Sequence, residues 1–105
     1  MSRYTLSPAA DSDIEEIVQY TLEGWGAAQL NNYMGGLTEA FRQLAELPGL
    51  GRRRSDIGVE NLQSYRYRSH LIYYFRMSKS IEIARILHIS RDAYSIFASM
   101  STQAD

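Results

Sequence analysis

Residues 62–92 read LQSYRYRSHLIYYFRMSKSIEIARILHISRD, and this stretch decides the fold. Its centre, residues 70–76, is aromatic and β-branched almost without interruption, which is typical of a strand covered on both faces. The flanking segments, residues 62–68 and 81–88, alternate between apolar and polar side chains and are also predicted as strands. Because only short turns separate the three strands, we expect them to form an antiparallel meander.

The first half of the chain predicts one short strand followed by two helices. Residues 4–6 form the strand, and Ser7 followed by Pro8 is a typical helix start with Ser7 as the N-cap. The first helix is expected to end near residues 24–26 and the second at residues 48–51, where glycine and proline interrupt the pattern. Each helix carries an apolar stripe: Ile14, Ile17, Val18 and Thr21 in the first, and Leu30, Met34, Leu37, Phe41 and Leu44 in the second. The prediction is an α+β fold with an antiparallel helical hairpin on one face of the sheet.

Three shorter features complete the expected architecture. Gly35 and Gly36, inside the second helix, indicate close approach of another backbone, most simply that of the first helix. Residues 52–60 are expected to form a basic loop before the sheet. Residues 90–100 are expected to add a final helical turn, and about 99–105 to form a flexible polar tail.

Composition is that of an ordinary globular protein, with 45% apolar and 22% charged residues, and residues 1–105 are expected to form a single domain. The absence of cysteine excludes disulfide frameworks and thiolate metal sites. No apolar run resembles a signal segment or a membrane span, so we expect a cytoplasmic location. Residues 1–50 carry seven acids against two bases, whereas residues 51–105 carry nine bases against five acids. This distribution favours solvated sheet arginines, or alternatively a surface for nucleic acid or an acidic protein segment.

No catalytic or cofactor motif is apparent. There is no glycine-rich phosphate loop, Ser-His-Asp grouping or histidine pair at metal-ligand spacing, so no catalytic residue, metal or cofactor is expected. His70 starts one predicted strand and His88 ends another, and antiparallel pairing could bring them together, although structural histidines are common at strand ends. The remaining arginines and tyrosines could bind RNA or anchor a protein partner.

Several short motifs resemble landmarks of the ParE-type toxins, in the order in which that family carries them. They are YTLSPAA (4–10), the segment from YT to WG (20–26), PGLGR (48–52), HLIYY (70–74), and IARILH (83–88) followed by Arg91-Asp92. ParE belongs to the ParE/RelE superfamily of bacterial toxin–antitoxin modules, so the resemblance implies a RelE/ParE-like fold. It also implies a ParD-like antitoxin whose C-terminal segment wraps the toxin, and a hetero-oligomer of the two proteins.

The superfamily divides by target, since RelE-like members cleave mRNA on the ribosome and ParE-like members poison DNA gyrase. Compared with the RelE pattern, the chain keeps one arginine and departs at the other positions: it has Arg91, but Arg66 and Arg68 replace lysines, His70 replaces an arginine and Phe97 replaces a tyrosine. Arginine is a poor general base because its pKa is not usefully lowered. The resemblance therefore implies a gyrase inhibitor that is not an enzyme. The alternatives are a ribosome-dependent mRNA endoribonuclease, for which His88 supplies an acid–base group, and a non-toxic partner or corepressor.

The predicted target-binding residues lie on the last strand and just beyond it: Arg85, His88 and Arg91. Arg85 also has a structural interpretation, in which it pairs with Glu82 or Glu60. DNA gyrase is the expected target, and DNA is expected to be contacted only through gyrase or the antitoxin. No membrane contact is expected.

The predicted antitoxin-binding residues lie on the helical hairpin: Tyr20, Trp25 and Tyr33. Trp25 also has a structural interpretation, in which it closes the core at the turn between the helices. A sheet edge and the groove beside the hairpin should be open in the free toxin, because a partner that adds a strand or an amphipathic helix needs them.

Overall fold

The computed structural model describes residues 3–103, and the side chains of residues 3–100. The strands are β1 (Arg3–Leu6), β2 (Arg52–Arg53), β3 (Gln63–Tyr67), β4 (His70–Arg76) and β5 (Ser80–His88). The helices are α1 (Pro8–Trp25), α2 (Ala27–Glu46) and α3 (Ala93–Gln103), with short 3-10 turns at Pro48–Leu50 and Ser55–Ile57. None of the helices in this part of the chain is long and apolar enough to cross a membrane.

The strands form one five-stranded sheet in the order β1-β5-β4-β3-β2. β3, β4 and β5 pair antiparallel, which confirms the predicted meander, and β1 pairs parallel to β5. The expectation of a loop at Arg52 and Arg53 is wrong, because these two residues pair antiparallel with Ser64 and Gln63 as an edge strand. Two residues are too few to show an alternating pattern, so the sequence contains no signal for β2.

The helical hairpin covers one face of the sheet and α3 covers the other. Ile72 and Tyr74 of β4 lie in the core beneath the hairpin. Tyr73 points to the opposite face and packs edge-on against Phe97 of α3, with ring centroids 5.4 Å apart. β4 is thus buried on both faces, as its uninterrupted apolar sequence predicts.

The start of α1 is fixed by local signals, which the sequence predicts correctly. The Ser7 Oγ accepts a hydrogen bond from the Ala10 N–H at 3.0 Å, and Pro8 occupies the first helical position. Ser7 also joins the helix to the sheet, since its hydroxyl donates to the Ala84 carbonyl at 2.8 Å. At the other end, Gly26 alone connects α1 to α2 with a φ of 87° that favours glycine.

Gly36 is needed for a close contact, but the neighbour is not the one that the sequence suggests. A Cβ at Gly36 would lie 2.8 Å from Cζ of Tyr67 and closer still to its hydroxyl, whereas one at Gly35 would meet nothing within 4 Å. The Tyr67 hydroxyl donates to the carbonyl of Tyr33 at 2.9 Å. The predicted approach of the α1 backbone is therefore wrong, and the space left by Gly36 is filled by a side chain of β3.

α3 is longer than the single final turn expected for residues 90–100. Asp92 caps its start by accepting from the backbone N–H of Ser95 at 3.3 Å and from the Ser95 hydroxyl at 2.7 Å. These hydrogen bonds lower the pKa of Asp92. The expected flexible tail, about 99–105, overlaps the last turn of this helix, and residues 104–105 lie outside the described residues.

Candidate functional site

A groove of about 570 Å³ opens where β4 begins and β5 ends, beneath the tip of the helical hairpin. It brings together five of the six residues predicted to contact partners: Tyr20 and Trp25 from α1, Tyr33 from α2, and His88 and Arg91 from the end of β5 and the turn beyond it. His70, at the start of β4, lines the same groove. Its volume and its mixture of aromatic and polar side chains are typical of a binding site.

Tyr20 and Trp25 form an exposed aromatic rim of this groove. Their exposed fractions are 72% and 70%, so Trp25 does not close the core, and that interpretation is wrong. The physical reason is the length of α1. The Asp13 carboxylate reaches Ile86, after which α1 continues for about 18 Å to Trp25 while β5 continues for about 7 Å to His88. The last turns of α1 therefore extend past the sheet.

Tyr33 lies at the floor of the groove rather than on its rim, with 8% of its surface exposed. Its hydroxyl is hydrogen-bonded to Nδ1 of His70, and the two rings meet edge-on with centroids 5.6 Å apart. His70 pairs with His88 across the sheet, and their ring centroids are 5.5 Å apart, so antiparallel pairing does bring the histidines together. Nδ1 of His88 accepts the backbone N–H of Ser90 at 3.1 Å.

Burial shifts the pKa values of His70 and Tyr33. Burial lowers the pKa of His70, and the neighbouring His88 lowers it further, while Asp13 opposes the shift. Burial also raises the pKa of the Tyr33 hydroxyl. At neutral pH the hydroxyl of Tyr33 is therefore the donor and Nδ1 of a neutral His70 the acceptor. Within residues 3–103 no three His, Asp or Glu side chains lie close enough to hold a metal ion.

Arg85 is engaged inside the protein. Its Nε donates to Oδ2 of Asp13 at 2.8 Å and its Nη2 donates to Oδ1 at 2.7 Å. The Asp13 and Arg85 side chains are 5% and 17% exposed, so the ion pair is largely removed from water. The predicted pairing of Arg85 with Glu82 or Glu60 is therefore wrong. The position of Asp13 on the buried stripe of α1 with Ile17 indicates that its carboxylate needs a partner, but nothing in the sequence identifies Arg85 as that partner.

Asp13 also accepts a backbone hydrogen bond from β5, beyond the point where the pairing of β5 with β1 ends. β1 pairs with β5 only as far as Ile83, and the N–H of Ile86 donates to Oδ2 of Asp13 at 2.9 Å. Two elements, α1 and β5, are thus joined by three hydrogen bonds to one carboxylate. This junction holds the α1 wall of the groove against the β5 wall.

Arg91 differs from Arg85 because its side chain is exposed at the groove, and its backbone N–H donates to the His88 carbonyl at 2.9 Å. Arg68 is not among the predicted target-binding or antitoxin-binding residues, and its guanidinium stacks over two tyrosine rings. Its Cζ lies 5.6 Å from the centroid of Tyr33 and 5.4 Å from that of Tyr67. Alternation of tyrosine and arginine over residues 65–68 is the only sequence signal for this stack.

Comparison with solved structures identifies the class of fold to which the chain belongs. The solved structure described as "Chromosomal ParDE TA system from P. aeruginosa" superposes with a TM-score of 0.69 at 17% identity, covering 86% of this chain and 98% of that one. This likeness establishes a RelE/ParE-like fold.

Sequence comparisons then identify the family. The family described as "ParE toxin of type II toxin-antitoxin system, parDE" matches residues 4–93. Toxin ParE1 of Caulobacter vibrioides is 34% identical, covering 89% of this chain and 95% of the relative. Toxin ParE1 of Mycobacterium tuberculosis is 35% identical, covering 87% of this chain and 93% of the relative. Toxin ParE of Escherichia coli is 29% identical, covering 88% of this chain and 89% of the relative. The chain belongs to the ParE toxin family of type II toxin–antitoxin systems.

Proposed function

We propose that this protein inhibits DNA gyrase by binding it, and that a ParD-like antitoxin neutralises this activity within a toxin–antitoxin complex. The observation that carries the proposal concerns the five positions compared with the RelE pattern. In this chain of the ParE family, three of them carry side chains held by contacts within the fold: Arg66, Arg68 and Phe97. A protein that inhibits by binding needs an exposed contact surface but no catalytic group, and the groove supplies such a surface.

The position where the RelE pattern has a tyrosine is the clearest departure from an RNase site. Phe97 has no hydroxyl, is 5% exposed and packs on Tyr73. Arg66 donates from Nε to the carbonyl of Arg68 at 2.7 Å, and Arg68 is stacked on two tyrosine rings. These three side chains are poorly placed to activate a 2′-hydroxyl, which supports inhibition without RNA cleavage.

The aromatic rim of the groove is the proposed antitoxin anchor. Tyr20 and Trp25 expose large apolar surface without a covering element, and such residues dominate the energetics of protein interfaces. The groove between them and the sheet suits an amphipathic helix or an extended segment. Tyr33 contributes to its floor rather than acting as an exposed anchor.

The proposed target contact lies at Arg91 and His88, beside the same rim. Both side chains are exposed, and arginine at an interface combines charge with a planar apolar surface. Arg85 supports them indirectly, because its guanidinium is committed to Asp13 and keeps α1 against β5. A partner seated on Tyr20 and Trp25 therefore covers the target contact as well, which accounts for neutralisation by occlusion.

A second candidate function is favoured by one observation, the histidine cluster. A neutral His70, hydrogen-bonded to Tyr33 and in edge contact with His88, is a chemically competent acid–base group in an open groove. This arrangement is what a ribosome-dependent RNase would use. The two candidates predict different products, so one set of assays separates them.

The test uses the purified full chain with gyrase and plasmid DNA in one arm and with programmed ribosomes in the other. We expect loss of supercoiling, accumulation of protein-linked double-strand breaks and intact mRNA. Codon-phased mRNA cleavage that disappears in both His70→Ala and His88→Ala, with gyrase unaffected, would assign the RNase function instead.

The antitoxin assignment is tested separately, by expressing the toxin together with the antitoxin encoded beside it. Tyr20→Ala and Trp25→Ala should each weaken neutralisation. Tyr94→Ala is the matched control, because Tyr94 is likewise largely exposed, at 60%, but lies on α3. Equal neutralisation of all three variants would show that the aromatic rim is not the antitoxin anchor.

A further inference from the structure

One end of the sheet, opposite the groove, carries cations from three of the five strands and from the turn that precedes a fourth. β1 and β5 begin at this end, and β4 and β2 finish there. The cations follow the order of the strands across the sheet: Arg3 on β1, Lys79 just before β5, Arg76 on β4 and Arg53 on β2. We call these four residues the basic end. They come from distant parts of the chain, so only the topology reveals them as a row.

The four side chains of the basic end are exposed, and within residues 3–103 none of them forms a salt bridge. The neighbouring Arg54 is different, because its guanidinium is held by Asp56 at 2.9 Å. Glu60 and Glu82 are the acids near this end, so the cations outnumber them two to one. The result is a local positive surface on a chain whose net charge is −1.

A polar cleft of about 210 Å³ lies within this surface. It is lined by Arg53, Asn61, Gln63 and Arg76, without an aromatic or aliphatic side chain. Protein interfaces usually need a desolvated apolar or aromatic centre, which the groove at the other end has and this cleft lacks. Phosphate groups need only cations and polar donors, so this lining favours a phosphate ligand over an acidic peptide.

The spacing of the row fits a nucleic-acid backbone. Neighbouring strands lie about 4.8 Å apart, so the row from β1 to β2 spans about 19 Å. Along the axis of duplex DNA each strand carries one phosphate per about 3.4 Å, and a row of this length therefore faces about six phosphates. Four flexible cations can neutralise most of them without contacting a base.

We propose that the basic end binds the phosphodiester backbone of double-stranded DNA without base specificity. This goes beyond the sequence-based expectation that DNA is contacted only through gyrase or the antitoxin. Its use in the cell rests on the proposed function, in which the DNA is the duplex held by gyrase. The toxin would then contact gyrase with the groove end and its DNA with the basic end.

The experiment measures binding of the full chain to a fluorescent 20-base-pair duplex between 50 and 200 mM salt. For four phosphate contacts the affinity should fall with a log–log slope of about −3.6. The double variant Arg53→Gln, Arg76→Gln should reduce the slope by about 1.8, which corresponds to about 60-fold weaker binding at 0.1 M salt if the two curves meet at 1 M.

Two single variants and their combination serve as controls, and the combination removes two positive charges, as the double variant does. Arg42→Gln removes a cation on α2 that pairs with Glu39 and Glu46, and Arg91→Gln removes one at the groove end. All three should bind the duplex like the unaltered chain, and all variants should keep its melting temperature, since the mutated side chains are exposed. If the controls weakened duplex binding equally, DNA would be attracted by positive side chains anywhere on the surface, and the assignment to the basic end would be wrong. A slope near zero, or tight binding of a polyglutamate peptide in place of the duplex, would overturn it as well.

Failure of this inference and failure of the proposed function give different results. If the chain inhibits gyrase but does not bind the duplex, the DNA-binding role of the basic end is wrong and the proposed function stands. If the chain binds the duplex with the expected slope but does not affect gyrase, DNA binding by the basic end is supported and the proposed function is wrong.

Discussion

Asp13 is the residue on which the junction between hairpin and sheet depends. Its carboxylate is the ion-pair partner of Arg85 and the acceptor for the backbone of Ile86. Asp13→Asn keeps the size but removes the charge, leaving the Arg85 guanidinium without its counter-ion in a largely buried position. We expect the free energy of unfolding to fall by about 3–5 kcal/mol, as for other broken buried pairs.

Urea denaturation measures this loss, and Glu39→Gln is the control. Glu39 pairs with Arg42 on the exposed face of α2, where solvent screens the pair, so the variant should keep nearly all of its stability. A loss of less than 1 kcal/mol in Asp13→Asn would contradict the structural role assigned to the buried pair.

His70 makes stability depend on pH. Its pKa is lowered in the folded protein, chiefly by burial and then by His88, so the unfolded chain binds the proton more tightly. The contribution of His70 to stability is therefore fully present above its ordinary pKa of 6.5 and is lost as the pH falls from there through the lowered value. Asp13, Tyr33 and His88 are the titratable groups that face it.

The measurement is the free energy of unfolding between pH 8 and pH 5 for the unaltered chain and for His70→Gln. We expect a decline below about pH 6.5 that is shallower in the variant, because glutamine does not titrate. Identical profiles for the two proteins would show that His70 is solvated rather than buried beneath the hairpin.

At the scale of the elements, the neighbouring glycines of α2 should respond in opposite directions. Gly35→Ala adds a methyl group in open space and should stabilise the protein by about 0.5–1 kcal/mol through helix propensity. Gly36→Ala meets the Tyr67 ring and should destabilise by about 1–3 kcal/mol, the usual range for overpacking. Thermal unfolding of both variants is the test, and a shift of the same sign in both would contradict the packing of α2 on β3.

Phe41 tests the register of the same helix against the sheet. It is 2% exposed and packs on Tyr4 of β1, with ring centroids 5.4 Å apart. Phe41→Ala should lower the free energy of unfolding by about 3–5 kcal/mol, as buried aromatic truncations do. An unchanged melting temperature would mean that another face of α2 meets the sheet.

The elements that the sequence predicts correctly are those with local signals. Ser7 and Pro8 predict the start of α1, and the uninterrupted apolar run of β4 predicts that this strand is buried on both faces. β2 is two residues long and depends on pairing with β3, so no local pattern predicts it. The neighbour of Gly36 is equally non-local, because Tyr67 lies 31 positions further along the chain.

At the scale of the whole molecule, the candidate site also combines features that local sequence predicts with features that depend on tertiary contacts. Residue types and motif resemblance predict Tyr20, Trp25, His88 and Arg91 as contact residues, but they do not predict that the four lie together. That they share one groove follows from α1 extending past β5, which depends on tertiary geometry. The same grounds predict Arg85 as a contact residue, but its side chain is paired with Asp13, a partner 72 positions away that no sequence spacing identifies.

The most direct test of the account is the toxin concentration that half-inhibits gyrase supercoiling, compared between the unaltered chain and Arg91→Ala. Loss of a charged contact at a desolvated interface costs about 2–5 kcal/mol, so the half-inhibitory concentration should rise by about 30-fold or more. The variant should keep its melting temperature and nearly all of its antitoxin affinity, since the aromatic rim is untouched. Equal potency of the two proteins, or no inhibition by the unaltered chain at any concentration, would contradict the account.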